Sequence, residues 1–218
     1  MFASESGVFI SEDDGANWAM VPIEGHALGV QLHPYDKYQS MITTTETKQY
    51  LTLDRGQNWD ALDLPFRPAI TLDLEIWSFH PTQPGWIIYM AESGCSYMND
   101  EVCHSKAYST TDGGRSWAPL SSWVKSCRWS QTLAFTYVHE QGIYCEQYVN
   151  QTISQRLQSN RQLPTRLIFT DDFMGSSTVL LESVVGYAVH SEFLVAAEVS
   201  YKKIISGMIH PPHSGACD

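Results

Sequence analysis

The sequence predicts an all-β chain, a β-propeller assembled from four-stranded blades. Three observations predict it. Short runs rich in Val, Ile, Thr, Tyr and Trp recur along the 218 residues, and no long stretch carries 3.6-residue periodicity. An eight-residue motif, Ser/Thr-x-Asp-x-Gly-x-x-Trp, occurs three times, as SEDDGANW (11–18), TLDRGQNW (52–59) and TTDGGRSW (110–117). A His-Pro pair precedes the second and third copies at a matching place, in GVQLHP and EIWSFHP. Repetition at this spacing is the signature of a propeller blade.

In chain order, GVFI is the third strand of a first unit and runs into the first motif, with Ser11, Asp13, Gly15 and Trp18 at its fixed positions. The second unit reads strand GVQL, turn His33-Pro34, strand SMITT, strand KQYL, then the motif residues Thr52, Asp54, Gly56 and Trp59 and a closing strand. The third repeats that order through EIWSF, His80-Pro81, WIIYMA and KAYS to Thr110, Asp112, Gly114 and Trp117. The motif aspartates are 41 and then 58 residues apart. A loop holding Cys95 and Cys103, inserted between second and third strands, explains the longer interval. The fourth unit is degenerate. TLAFTYVH (132–139) takes the first strand and GIYCEQYV the second. RLIFTDDFMG (166–175) takes the third strand and the turn, where Thr170, Asp172 and Gly175 echo the motif without its Trp. VVGYAVHSEFLVAAEVS (184–200) opens a fifth unit. The blades are thus expected at about 1–28, 29–68, 69–125 and 126–183, with the start of the next at 184–203 and an irregular tail at 204–218.

The motif chemistry is that of a hairpin turn. A Ser/Thr hydroxyl and an Asp carboxylate bond the turn's own N–H groups, and the Gly admits positive φ where the chain reverses. The Trp then buries a large ring as the returning strand begins. A catalytic or metal-bound aspartate is disfavoured, because the residue recurs in each unit and an active site is single. A calcium loop needs several oxygens at alternate positions and an acidic closer. TTDGGRSW also lacks the GxxxxGK[ST] of a phosphate loop. The eight histidines show no metal spacing, so neither a metal nor a cofactor is expected.

Composition narrows the function further. Hydrophobic residues make up 43% and charged residues 17%, a globular balance. Net charge is −11, with 13 basic against 24 acidic residues and no Lys/Arg cluster, which argues against nucleic-acid binding. No apolar run reaches the eighteen or so residues that span a bilayer. MFASESGVFI has no charged or apolar leader segment and does not read as a secretory signal. Against a cytosolic reading stand five cysteines, Cys95, Cys103, Cys127, Cys145 and Cys217, whose local spacing suits two disulfides as well as it suits free buried thiols. Asn150-Gln151-Thr152 is a glycosylation sequon, used only in the secretory pathway. Open-ended blades expose apolar faces, so the chain reads as a segment of a larger propeller.

The motif resembles the Asp box of sialidases, other glycosidases and sortilin-type receptors, and does not by itself choose among them. Other residues choose. SWVKSCRW (122–129), GIYCEQY (142–148), LIFTDDFMGS (167–176), VVGYAVHSEFLVAAEVS (184–200) and HPTQPGWIIYM (80–90) with its following cysteines together resemble the vacuolar protein sorting ten domain of the sortilin family, in its fungal receptor form, over residues 5–203. The resemblance implies a ten-bladed propeller, a cysteine-rich module, a membrane span and a cytosolic tail in the full receptor. It implies a luminal receptor, not an enzyme, that binds propeptides of soluble vacuolar hydrolases of the carboxypeptidase Y type in the late Golgi and releases them in a prevacuolar endosome. It also makes Cys95–Cys103 and Cys127–Cys145 the preferred disulfides. Phe66-Arg67-Pro68 resembles the arginine motif of sialidases, but it follows the second box rather than preceding the first, and the three arginines that grip a carboxylate are not in place.

Overall fold

The computed structural model describes residues 2–4, 7–70, 75–95, 103–130, 141–149, 165–173, 176–190 and 193–198. Within these residues the elements are strands, arranged in four antiparallel sheets, and there is no α-helix. The first sheet holds β1 (Phe2–Ser4), β2 (Gly7–Ile10) and β3 (Ala19–Val21). The second holds β4 (Ala27–Leu32), β5 (Ser40–Thr44), β6 (Lys48–Thr52) and β7 (Asp60–Asp63). The third holds β8 (Trp77–Phe79), β9 (Ile87–Ser93), β10 (His104–Thr110) and β11 (Ala118–Ser122). The fourth holds β12 (Val124–Trp129), β13 (Ile143–Tyr148), β14 (Thr165–Thr170), β15 (Thr178–His190) and β16 (Phe193–Glu198). Each sheet pairs its strands in chain order, the up-and-down meander of a propeller blade.

The sheets pack face to face through three apolar layers. Val8, Val21, Ile42 and Tyr50 join the first and second sheets. Met41, Leu51, Leu62, Trp77, Phe79 and Tyr89 are among those joining the second and third. Ile88, Met90, Val124, Trp129, Ile143 and Ile168 are among those joining the third and fourth. Period-2 alternation makes this possible. Along β9, Ile87, Tyr89 and Ala91 enter one layer while Ile88 and Met90 enter the next. A strand buried on both faces reads as a near-continuous apolar run, as IIYMA does, whereas SMITT is buried throughout with hydroxyl-bearing Ser40, Thr43 and Thr44.

The fourth sheet departs from the expected strand order. The place beside β13 belongs to β12, within SWVKSCRW, and not to TLAFTYVH, which lies outside the described residues. The physical reason is the direct pairing of Cys127 with Cys145 across β12 and β13, in a register that also buries Val124 and Trp129. The boundary expected at 125/126 therefore falls inside β12, and the change of sheet comes between Ser122 and Val124. A second change of partner occurs inside β15. Its residues 178–184 pair with β14 and its residues 184–190 with β16.

The two changes share a device that the sequence did not advertise. Trp123 and Ser183 have φ of 61° and 58°, and each is followed by a fully buried valine, Val124 or Val184. The carbonyl of that valine accepts the hydroxyl of Ser105 or Thr165, at the start of the third strand. A non-glycine residue in the left-handed region is sterically costly, so it marks a place where the chain must pivot.

Candidate functional site

The three motif turns share one set of hydrogen bonds. The hydroxyls of Ser11, Thr52 and Thr110 donate to one carboxylate oxygen of Asp13, Asp54 and Asp112 at 2.9, 2.8 and 2.7 Å. The same hydroxyls accept the N–H of Gly15, Gly56 and Gly114 at 2.8, 2.8 and 3.0 Å. Each carboxylate accepts the backbone N–H of Asn17, Asn58 or Ser116 at 2.8, 2.9 and 3.0 Å. Its second oxygen takes the side chain of that residue at 2.6 Å in every copy. The chain reverses through two left-handed residues in a row, Asp14–Gly15, Arg55–Gly56 and Gly113–Gly114.

These bonds decide the chemistry of the aspartates. Those to Asn17 and Asn58, backbone first, hold Asp13 and Asp54 below the ordinary carboxylate range. The Ser116 hydroxyl, with further bonds, pushes Asp112 down to about 2. A carboxylate held ionised and saturated by its own turn is unsuited to general-acid work, which needs a raised value. Trp18 and Trp59 donate their indole N–H to the Gly15 and Gly56 carbonyls at 3.0 and 3.1 Å. Trp117 instead leaves Nε1 buried without a partner, its ring against Trp77 and Tyr89. In the degenerate copy Thr170 donates to Asp172 at 3.3 Å, and Phe173 packs on Trp86 and Trp129 in place of the missing Trp. Gly175 lies outside the described residues.

The His-Pro turns repeat as closely as the boxes. Nδ1 of His33 accepts the N–H of Tyr35 and Asp36 at 3.2 and 2.9 Å, and Nδ1 of His80 accepts those of Thr82 and Gln83 at 3.2 and 3.0 Å. Five residues after each histidine a carbonyl reaches the motif turn of the same blade. Tyr38 O accepts the Arg55 N–H at 2.9 Å, and Gly85 O accepts the Gly113 N–H at 3.0 Å. Both turns therefore close one end of the blade as a single unit.

Two polar residues of CEQY fasten the fourth sheet. Glu146, 3% exposed, accepts the ammonium of Lys125 and the hydroxyl of Thr165, both at 2.7 Å. The Gln147 amide donates back to Ser121 Oγ and Ser122 O of the third sheet at 3.1 and 2.7 Å and accepts from Arg166 at 2.8 Å. Both disulfides are present, Cys95–Cys103 and Cys127–Cys145. Asn150, Cys217 and the tail at 204–218 lie outside the described residues. Arg67 sits in the link between β7 and β8, mostly exposed and ion-paired with Glu46 at 3.2 Å.

The first strands of three successive sheets, β4, β8 and β12, bring a cleft together. It measures about 140 Å³ and is lined by Gln31, Tyr35, Glu75, Trp77, Phe79, Arg128 and Trp129, among others. Glu75 and Arg128 pair across it at 3.0 Å, both half exposed. Larger hollows of about 640 and 450 Å³ lie against β3 and β6, and between β7 and the third motif turn. Among the described residues, the smaller cleft joins three first strands with an exposed ion pair and exposed aromatic surface. It is the candidate ligand contact.

A family model described as Sortilin-Vps10 (sortilin, neurotensin receptor 3) matches residues 6–206. The chain belongs to the sortilin family. Curated relatives named vacuolar protein sorting/targeting protein 10 include that of Mycosarcoma maydis, 29% identical over 204 residues, which cover 89% of this chain. That of Phaeosphaeria nodorum is 31% identical over 201 residues, which cover 90%. In both cases the chain spans 13% of the relative's length. Similar solved structures include the NanB sialidase of Streptococcus pneumoniae, at 12% identity and a TM-score of 0.45, covering 83% of this chain and 29% of that one. Another is the GH74 enzyme of Niastella koreensis, at 11% identity and a TM-score of 0.45, covering 72% and 23%. At that distance nothing about activity transfers.

Within this sortilin-family chain the motif residues fall together at blade turns and stay apart from the cleft. Neither Arg128 nor Glu75 stood out in the sequence. The signal that could have found them was the SCRW run, whose alternation buries Cys127 and Trp129 and leaves Arg128 exposed between them.

Proposed function

We propose that the chain is part of the propeller of a sorting receptor that binds soluble vacuolar hydrolase precursors, of the carboxypeptidase Y type, and carries them from the late Golgi to a prevacuolar endosome. The family match over residues 6–206 carries this reading. The relatives are named for sorting and targeting, not for catalysis. The blades sit in the lumen of the receptor compartment, where their two disulfides persist. Four blades at about 1–26, 27–68, 69–123 and 124–183, with the next from 184, belong to a ring of ten; the boundary expected at 28/29 moves because β4 begins at Ala27. Exposed apolar side chains at the two ends of the stack, Met20 on β3 and Val195 on β16, support that, since a blade buries such faces against its neighbours. The propeptide meets the wall made by β4, β8 and β12, where Arg128, Glu75 and Tyr35 are exposed beside apolar rings.

The test is retention of a hydrolase precursor by a full-length receptor containing these blades. The precursor, but not the mature hydrolase, should be retained on the immobilised receptor. Exchanging Arg128 for Glu should weaken retention about tenfold, the scale of one broken charge contact in a partly exposed site. Equal capture of mature hydrolase, or no capture of any precursor, sinks the reading.

A further inference from the structure

His33 and His80 occupy equivalent places in successive blades, and each ties three things together. Each Nδ1 accepts two backbone N–H groups of its own turn. Each turn then offers a carbonyl, Tyr38 O or Gly85 O, to the motif turn of its blade. Each ring also packs on the aromatic residue at the end of the next blade's first strand: His33 on Phe79 at 4.6 Å, His80 on Trp129 at 4.9 Å. Both residues are buried, at 6% and 0% exposure.

An imidazole nitrogen accepts a hydrogen bond only while it carries no proton. We propose that the two His-Pro turns are acid-labile latches between blades: protonation at Nδ1 of His33 and His80 removes the acceptor that holds each turn, and so loosens the motif turn docked on it and the ring contact with the next blade. Among the described residues, the charged groups around His33 are already engaged. Asp36 draws a proton toward His33, but its carboxylate already accepts the Tyr38 N–H and the Gln39 amide, each at 2.9 Å. Glu75 and Arg128, which share a cleft with Tyr35 and Phe79, are paired with each other. The docked motif turns present Asp54 and Asp112, both saturated, beside Arg55 and Arg115. Nε2 of His33 is itself buried without a partner, so an imidazolium there would gain no bond on its other side.

Burial pushes His33 below its ordinary value, with Asp36 opposing. A depressed histidine stabilises the fold fully above its unfolded value of about 6.5, and that stability is lost as pH falls through the folded value. The latch is therefore closed at neutral pH and opens on the acid side.

The test uses the full chain with ¹⁵N-labelled histidine, titrated from about pH 8 to about pH 4.5 across the imidazole range. Two-bond ¹H–¹⁵N spectra should show Nδ1 unprotonated in both residues at the start and protonated at the end. Amide exchange, corrected for its intrinsic pH dependence, should quicken about tenfold or more at Tyr35, Asp36, Thr82 and Gln83 while β5 and β9 stay protected. The His33→Asn/His80→Asn variant, whose side-chain oxygen can accept the same bonds and does not titrate, should keep its protection. Unchanged corrected exchange in the native chain overturns the proposal, as does loss at the turns only together with β5 and β9. An equal acid response in the variant does so too. If the variant does not fold, the spectra and exchange of the native chain decide alone.

Discussion

Gly113 and Gly114 stand side by side in the third motif and differ in what a methyl group would meet. Both are left-handed, at φ 74° and 88°, but a Cβ on Gly113 enters open space, whereas one on Gly114 comes within 2.9 Å of Leu62 Cδ1. Gly113→Ala should cost about 1 kcal/mol, the left-handed penalty alone, and Gly114→Ala about 2–3 kcal/mol, with crowding added. Urea unfolding of the two variants checks the order, and equal midpoints would show that the close packing of this turn on Leu62 does not matter. Thr110→Val removes the acceptor of the buried Gly114 N–H and should cost about 1–3 kcal/mol by the same measurement. At Ser183, φ is 58° and the side chain is partly exposed. Ser183→Gly should stabilise the chain by about 0.5–1 kcal/mol, because relief of the left-handed strain exceeds the entropy that glycine adds to the unfolded state. The motif glycines were legible in the sequence because glycine is the ordinary answer to positive φ. Trp123 and Ser183 were not, because nothing in a tryptophan or a serine announces a left-handed backbone.

Strands become legible when a turn brackets them. In the second and third sheets a His-Pro pair and a motif fix both ends of the inner strands, and the structure places β4 to β11 as that punctuation predicts. The fourth sheet has neither a His-Pro pair nor a complete motif, so two apolar runs, SCRW and TLAFTYVH, competed for one place. A cross-strand disulfide decides it, since Cys127 lies directly opposite Cys145. That pairing was expected only through the family resemblance, because spacing alone fits free thiols equally well. The two disulfides should differ in weight. Cys127–Cys145 closes a separation of 18 residues and is buried; Cys95–Cys103 closes 8 and has one partly exposed end. Loop-closure entropy alone gives about 3 kcal/mol for the longer and about 2.5 kcal/mol for the shorter. Replacing Cys127 and Cys145 by Ser should therefore lower the melting temperature more than replacing Cys95 and Cys103, by a margin that burial widens. The reverse order in paired thermal melts would mean that the inserted loop, not the β12–β13 seam, anchors this blade.

Four sheets stacked through three separate apolar layers make a nearly one-dimensional molecule, in which each sheet feels only its neighbours. Stability should then vary along the stack. The second and third sheets lie between two layers each, and β5 and most of β9 are buried throughout. The first sheet has a layer on one face, and just before its returning strand Trp18 is 47% exposed, although its counterparts Trp59 and Trp117 pack against apolar layers. Amide exchange should accordingly rank β5 and β9 slowest and β2 and β3 faster. Two truncations separate this picture from a single cooperative core. Val8→Ala, in the end layer, should quicken exchange in β2 and β3 and leave β9 nearly unchanged. Trp77→Ala, in the layer between the second and third sheets, removes a fully buried ring and the bond from its indole N–H to Thr43 at 2.8 Å. It should cost about 3–5 kcal/mol and quicken both middle sheets together. If Val8→Ala accelerates β9 as much as β2, the layers are not independent and the chain unfolds as one unit. A confined effect would show that the blade is the unit of stability here, which fits a fold that repeats one blade while letting a single copy, the fourth, lose the Trp of its motif.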